Sequence, residues 1–229
     1  MVQSNEIVGS ERCFHEASLL LHEFSHRINN EFASIIGTLS TACARTGNNE
    51  TKAVLNIVQD QLHSYAQVHR ALEMPERSIQ IDAADYLRKL CRAIARSKLN
   101  SKGIAIVFVD HPLKMNSERC WRLGLIISEL ITNAARHAFG HSGGTIRVEI
   151  SQLSVFVQCN VTDNGSGDAI GQPGHGSAII RALTDSLGGW FDQRFGVNGA
   201  AATLIFPSNP LEEISPRSPP ARAQEIGPP

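Results

Sequence analysis

Periodic apolar residues in the first 73 positions constrain the fold of this chain most strongly. Within residues 10–45 they recur every three or four positions and fall on one stripe of a helical wheel: Leu21, Phe24, Ile28, Phe32, Ile35, Leu39 and Ala42. The run Gly-Asn-Asn at 47–49 is typical of a helix end, and residues 50–73 carry a second stripe: Val54, Val58, Leu62, Tyr65, Val68 and Leu72. Pro75 follows, so the pattern predicts two long helices joined by a short turn.

Two such helices form an antiparallel hairpin that carries two apolar stripes. One hairpin cannot hide both stripes by itself. Two copies can bury them in a four-helix bundle, so the sequence predicts a homodimer. The alternative is that the stripes pack on the C-terminal half of the same chain.

A polar face lies opposite the stripe of the first helix. His26 is diametrically opposite, and His22, Asn29 and Asn30 share its side of the helical wheel. On these residues alone, an ordinary solvated face is the simpler interpretation. Whether the imidazole of His26 is displayed for chemistry depends on residues about a hundred positions downstream.

The composition is that of a soluble globular chain. Its 229 residues are 42% hydrophobic and carry a formal net charge of −1, which gives no reason to expect a nucleic acid or another polyanion as a partner. No apolar run reaches the roughly 18 residues that a membrane span needs, and no secretory leader pattern opens the chain, so we expect a cytoplasmic protein without a membrane span. The five cysteines lack Cys-x-x-Cys spacing, which favours unpaired thiols over a zinc site.

After a break at residues 74–78 the pattern becomes mixed α/β. It predicts a helix over 82–99, a strand over 104–109, a helix over 117–139 capped by Ser117, strands over 145–150 and 155–161, a helix from 177 to the glycines at 188–189, and strands over 190–195 and 201–206. We therefore predict an α+β chain with three parts: a helical hairpin at 1–77, a mixed sheet covered by helices on one face at 78–207, and a disordered tail at 208–229 that is rich in proline and charge.

The predicted helix over 117–139 carries the first candidate site residues. Glu129 and Asn133 are four positions apart, so they lie on one face of the helix. A carboxylate and an amide oxygen in that arrangement can organise a water molecule or Mg²⁺. A plain polar helix face is the alternative.

Two further segments have the character of ligand-binding loops. The strand that ends at Asp163 runs into Gly165 and Gly167, where a carboxylate can accept a hydrogen bond from an exocyclic amine and glycines let a ligand approach the backbone. Gly174 and Gly176 directly precede a helix, whose N-terminal N–H groups can bind phosphates. Either segment alone is also compatible with an ordinary turn.

The order and spacing of these three segments resemble the nucleotide pocket shared by DNA gyrase, MutL-type and heat-shock-chaperone ATPases and histidine kinases, known as the Bergerat or GHKL fold. Residues 23–32, EFSHRINNEF, resemble the phosphoacceptor box of the HWE-like, or second HisKA-type, histidine kinases. Residues 67–72 resemble the end of their second bundle helix, and residues 199–207 resemble their closing strand. The resemblance extends over residues 19–207.

The resemblance implies a dimeric histidine kinase core without its own sensor domain. His26 would be the phosphoacceptor, Glu129 a catalytic residue, Asn133 the Mg²⁺ and phosphate ligand, and Asp163 the residue that reads adenine. ATP would be bound further by Arg136, His137, Gly165, Gly167, Gly174, Gly176 and Thr203. The implied partners are the receiver domain of a response regulator, a second copy of the chain and a separate sensor protein.

Three positions depart from the family pattern and keep other functions open. Asn29 stands where lysine is common, Ser177 where leucine usually follows the glycine pair, and Ala200 where a threonine often approaches the adenine. These departures suit a histidine phosphotransferase that no longer uses ATP and relays phosphate between receiver domains. A third possibility is an ATPase in which Glu129 activates water and His26 is incidental, although such an ATPase does not need a histidine on a helical bundle. The general base is open, with Glu23 as a candidate because it lies beside His26 on the wheel.

Overall fold

The structure is a computed structural model that describes residues 3–75, 78–140, 143–166 and 175–209. Within these ranges the side chains of residues 3–22 and 175 are left undescribed. The predicted tail lies outside the described residues from position 210 on, and the predicted boundary at 77 falls beside the undescribed pair 76–77.

The predicted helical hairpin is confirmed. Helix α1 spans Gln3–Arg45 and helix α2 spans Asn49–Ala71. The α1 helix begins at Gln3, earlier than the predicted start at residue 10. Asn48 caps α2, since its side chain accepts hydrogen bonds from the backbone N–H groups of Glu50 and Thr51.

Contacts between α1 and α2 fix the register of the hairpin. Near the turn, Gln59 Nε2 donates to Ser40 Oγ at 2.9 Å. Towards the open end, the rings of Phe32 and His69 lie 6.2 Å apart. Asn29 was predicted to lie on the outward face of α1. In the structure its side chain is half-buried and its Oδ1 atom is buried.

The apolar stripes of the hairpin have two environments. In the single chain, Phe24 is 62% exposed, Val54 55% and Tyr65 42%. Near the end of α2, by contrast, Val68 is buried and Leu72 packs against the hydrophobic core of the C-terminal half. The alternative packing therefore holds for the end of α2, and the homodimer stays a prediction for the rest of the stripes.

The C-terminal half is an α+β unit, as predicted. Its helices are α3 (Ala83–Ile94), α4 (Ser117–His137) and α5 (His175–Ser186), and its strands are β1 (Gln80–Asp82), β2 (Ile104–Asp110), β3 (Lys114–Asn116), β4 (Gly144–Leu153), β5 (Phe156–Asp163), β6 (Trp190–Gly196) and β7 (Gly199–Pro207). The sequence pattern missed β1 and β3, which form a two-stranded antiparallel pair, because three residues are too few for a periodic signal. It also extended α3 to residue 99, where the structure has a π-helical turn at Ala95–Leu99.

The main sheet has five strands in the order β2-β4-β5-β7-β6. The β2–β4 pair is parallel and the other three pairs are antiparallel. The core lies between this sheet and the three helices, and its fully buried side chains include Leu87, Ile94, Leu123, Ile127, Ile146, Ile150 and Phe206. Alternate residues of β5 and β7 are buried against the helices, so only one face of each strand carries core residues.

Four of the five cysteines have described side chains, and all four are unpaired thiols: Cys43, Cys91, Cys120 and Cys159. Burial raises the pKa of the Cys91 thiol and of the Cys159 thiol to about 12. These thiols are therefore protonated packing groups rather than nucleophiles.

Candidate functional site

Helix α4 positions the carboxylate and the amide that the sequence singled out. Its N-cap is Asn116, whose side chain accepts from the backbone N–H of Glu118 at 2.9 Å, and not Ser117 as predicted. Ser117 is buried at the first helical position, and its Oγ accepts from the backbone N–H of Ile79 at 3.1 Å. One face of α4 is anchored in the core, which leaves Glu129 and Asn133 half-buried, one turn apart, at the wall of a cavity.

Asp163 ends β5 and ties three segments together. Its Oδ1 accepts from the backbone N–H of Gly165 at 3.0 Å and from that of Ala200, on β7, at 3.2 Å. Asn164 extends this arrangement, because its Oδ1 accepts from the backbone N–H of Thr145 at 2.7 Å. One carboxylate oxygen of Asp163 therefore has a structural role, and Asp163 also lines the cavity.

Two glycines are closely packed against neighbouring segments around the cavity. A Cβ atom on Gly165 would overlap the backbone carbonyl of Ala138, where the end of α4 passes the loop after β5. A Cβ atom on Gly176 would overlap the carboxylate of Glu129. Gly165 thus lets α4 approach Asp163, and Gly176 lets the N-terminal turn of α5 approach Glu129, rather than only making room for a ligand.

These segments enclose a cavity of about 520 Å³. Seven of the predicted site residues line it: Glu129, Asn133, Arg136, His137, Asp163, Gly165 and Gly176. They come from α4, from β5 and the loop after it, and from α5, so folding brings together the three segments that the sequence identified. Gly167 and Gly174 lie outside the described residues.

Thr203, which was predicted to bind ATP, is not among the residues that line the cavity. Its Oγ1 donates to Asn160 Oδ1 at 3.0 Å, and β7 contributes Ala200 and Ala202 to the cavity wall instead. Side chains alternate along a strand, so Thr203 lies on the sheet face opposite to these alanines.

Strand β6 and helix α5 supply wall residues that the sequence reading missed. Gln193 and Phe195 line the cavity from β6, and Ile179 lines it from α5. The register of β6 on β7 places Phe195 opposite Ala200 and Gln193 opposite Ala202. Their spacing of two positions indicates that both side chains lie on the same face of β6, but only the strand order shows that this strand borders the cavity.

His26 lies away from this cavity, exposed on α1, and it is not part of the described cavity wall. One turn earlier on the helix, Glu23 Oε1 accepts from Arg27 at 2.7 Å, in an exposed pair. An exposed pair at this helical spacing contributes only about 0.3–0.5 kcal/mol. The carboxylate of Glu23 can therefore leave Arg27 at little cost.

Two side chains of the C-terminal half hold the end of α2. The hydroxyl of Tyr86 donates to the carbonyl oxygen of Ala71 at 2.8 Å, and the indole Nε1 of Trp121 donates to that of Leu72 at 2.8 Å. Carbonyl groups in the last turn of a helix lack partners within the helix. Here α3 and α4 supply those partners, so the hairpin is joined to the unit that contains the cavity.

Comparison with known protein families agrees with this arrangement. A family model described as histidine kinase matches residues 23–98, and one described as histidine kinase-like ATPase domain matches residues 82–200, more than half of the chain. The chain belongs to the histidine kinase family. The first matched region contains most of the hairpin, His26 included, together with α3, and the second extends from residue 82 to the start of β7.

Characterised histidine kinases are similar over much of the chain. Blue-light-activated histidine kinase 2 of Erythrobacter litoralis is 25% identical over 206 residues, covering 82% of this chain and 56% of that protein. The sensor histidine kinase PdtaS of Mycobacterium tuberculosis is 24% identical over 175 residues, covering 71% of this chain and 32% of PdtaS. The chain therefore spans about half or less of the length of these relatives.

A solved structure has the same fold. The histidine kinase domain of a blue-light-activated histidine kinase from Erythrobacter litoralis superposes with a TM-score of 0.54 at 21% identity, covering 77% of this chain and 96% of that domain. Within the part of this kinase that the structure describes, no helix has the length and apolar character needed to cross a membrane.

Proposed function

We propose that this chain is the core of a two-component histidine kinase that autophosphorylates His26 from ATP and passes the phosphoryl group to an aspartate of a response-regulator receiver domain. The observation that carries the proposal is the cavity, in which Glu129, Asn133, Asp163 and Gly176 meet from three separate segments. Membership of the histidine kinases supports it.

The cavity has the size and chemistry that ATP requires. Its volume of about 520 Å³ is within the usual range for small-molecule sites. Asp163 offers a carboxylate oxygen to the exocyclic amine of adenine at one end. At the other end Gly176 lies in the first turn of α5, where backbone N–H groups and the helix dipole favour phosphate.

Glu129 and Asn133 suit a magnesium ion beside the phosphates. Both contribute oxygen atoms from neighbouring turns of α4, and Mg²⁺ prefers oxygen ligands. The Glu129 carboxylate lies at the N-terminal turn of α5, so a triphosphate there would meet a negative charge that a cation must offset. A bound Mg²⁺ would supply that positive charge. We assign Asn133 as a ligand of Mg²⁺, and we assign Glu129 to the same end of the site, where the phosphates would bind.

The chemistry required of His26 is an in-line displacement. The unprotonated ring nitrogen of neutral His26 attacks the γ-phosphorus, an N–P bond forms, and the bond from that phosphorus to the bridging oxygen breaks to leave ADP. The proton on the other ring nitrogen passes to a base, and Glu23, three positions before His26 on α1, is the candidate. In the second step the receiver aspartate attacks the phosphorus, the N–P bond breaks, and the leaving imidazole takes back a proton, so that neutral His26 is restored. Catalysis rests mainly on positioning and charge neutralisation.

A histidine phosphotransferase with a degenerate ATP-binding domain is the competing function. It predicts that phosphate reaches His26 only from a receiver domain. The retained cavity favours the kinase, because Ala200 still holds Asp163 through its backbone N–H, which does not depend on the side chain at position 200.

The deciding experiment is incubation of the purified chain with γ-labelled ATP and Mg²⁺. We expect acid-labile, alkali-stable labelling that His26→Ala abolishes. His63→Ala, which changes another exposed histidine of the hairpin, is the matched control and keeps the label. A label that survives in His26→Ala would refute the assignment. A wild type that is not labelled by ATP but accepts phosphate from a phosphorylated receiver would replace the kinase with the phosphotransferase.

A further inference from the structure

An exposed aromatic side chain borders the cavity from the edge strand of the sheet. Phe195, on β6, lines the cavity and is 57% exposed. Ile179, on α5, also lines it and is 51% exposed. Large apolar side chains at a cavity wall leave apolar area for a ligand to cover.

The strand register places Phe195 next to the end of the cavity that contains Asp163. Phe195 is paired with Ala200 across β6 and β7, and directly opposed residues of an antiparallel pair project to the same face. Ala200 in turn donates its backbone N–H to Asp163 Oδ1 at 3.2 Å. The phenyl ring is therefore one cross-strand step from the residue that positions the carboxylate.

The β7 residues that line the cavity at this point are small. Ala200 and Ala202 are the β7 side chains that line it with Gly199, and none of them reaches far from the backbone. The larger side chains Phe195 and Gln193 stand opposite the two alanines, on β6. The large side chains in this part of the cavity wall therefore come from β6 and not from β7.

We propose that Phe195 is the platform on which the adenine ring of bound ATP stacks. The proposal rests on the nucleotide site proposed above and adds a residue to its base-binding end. Asp163 accepts from the exocyclic amine at the edge of the ring, while Phe195 covers one face of it. Aromatic side chains bind nucleobases in this way because every base has a π-face.

The same strand offers a matched control for this proposal. Trp190 is also an aromatic residue of β6 and is 55% exposed. It is paired with Ile205, five positions before Phe195, so alternation places it on the opposite face of the sheet. Truncation of either residue removes an exposed aromatic ring from β6, but only Phe195 lines the cavity.

The test is calorimetric titration of the full chain with ATP in the presence of Mg²⁺. Phe195→Ala should raise the dissociation constant about 5- to 150-fold, the range that corresponds to loss of a stacked base. Phe195→Tyr keeps the ring and should stay within about threefold of wild type, and Trp190→Ala within about twofold, because neither removes the π-face from the cavity.

Each outcome bears on the proposal. It is overturned if Phe195→Ala binds ATP like wild type, if Trp190→Ala weakens binding as much as Phe195→Ala does, or if Phe195→Tyr is as weak as Phe195→Ala. A wild type that binds ATP alongside an unaffected Phe195→Ala leaves the kinase standing and removes only the platform. A wild type that does not bind ATP removes both.

Discussion

Asp163 is the residue at which structural and ligand-binding roles can be separated by mutation. Its Oδ1 accepts two backbone hydrogen bonds, from Gly165 and from Ala200. Its second oxygen is the one that we assign to the exocyclic amine of adenine. Asp163→Ala removes both oxygens, whereas Asp163→Asn keeps an oxygen for the backbone donors and puts an NH₂ group in place of the other.

The two substitutions should therefore differ in stability. Asp163→Ala leaves two half-buried N–H groups without their acceptor, and we expect a loss of about 2–3 kcal/mol in the free energy of unfolding. For a chain of this size that lowers the melting temperature by about 4–12 °C. Asp163→Asn exchanges a charged acceptor for a neutral one and should cost less than about 1 kcal/mol.

Both substitutions should weaken ATP binding. In Asp163→Asn the side-chain NH₂ group would face the adenine amine, and two donors cannot form a hydrogen bond with each other. In both variants the hydrogen bond to adenine is lost, which corresponds to about 1–3 kcal/mol, or roughly a 5- to 150-fold increase in the dissociation constant. Calorimetric titration with ATP and Mg²⁺ measures this, and thermal unfolding measures the stability. Both variants should still take phosphate from a phosphorylated receiver, because His26 is unchanged.

Two results would refute this reasoning. If Asp163→Asn bound ATP as tightly as wild type, the carboxylate would not be reading the base. If Asp163→Ala melted at the wild-type temperature, the hydrogen bonds from Gly165 and Ala200 would not be holding β5 and β7 together at this point.

Two further predictions concern the hairpin. Light scattering at micromolar concentration should give the mass of a dimer, because Phe24, Val54 and Tyr65 otherwise stay exposed in the single chain; a monomeric mass would contradict it. Tyr86→Phe removes the donor to the carbonyl oxygen of Ala71 and should lower the free energy of unfolding by about 1 kcal/mol, a fall of about 2–4 °C in the melting temperature. An unchanged melting curve would show that this hydrogen bond does not help to hold the hairpin on the C-terminal half.

Much of the architecture could be predicted from the sequence because it depends on residues that are close together in the chain. The hairpin followed from the apolar period of the two helices and from the turn at residues 47–49, because helix packing and helix termination depend on neighbouring residues. Glu129 and Asn133 could be placed on one helix face by their spacing, and Asp163 at a strand end by the apolar run before it. These are properties of short segments.

The composition of the cavity wall was decided by tertiary structure. Phe195 and Ile179 belong to the wall only because β6 lies at the sheet edge beside β7 and α5 packs close by. Thr203 was predicted to bind ATP but is not among the residues that line the cavity, since the sequence gives the alternation of a strand but not which alternate set faces the site.

The sequence also could not show which apolar residues of the hairpin pack on the C-terminal half and which stay exposed in the single chain. The sequence identified Val68 and Leu72 as apolar stripe residues but could not say what they contact. In the folded chain they pack into the C-terminal core, while Tyr86 and Trp121 bond the carbonyls at the end of α2. The sequence by itself determined which residues are apolar and at what period they recur, whereas their burial depended on contacts between residues far apart in the chain, which only the folded structure brings together.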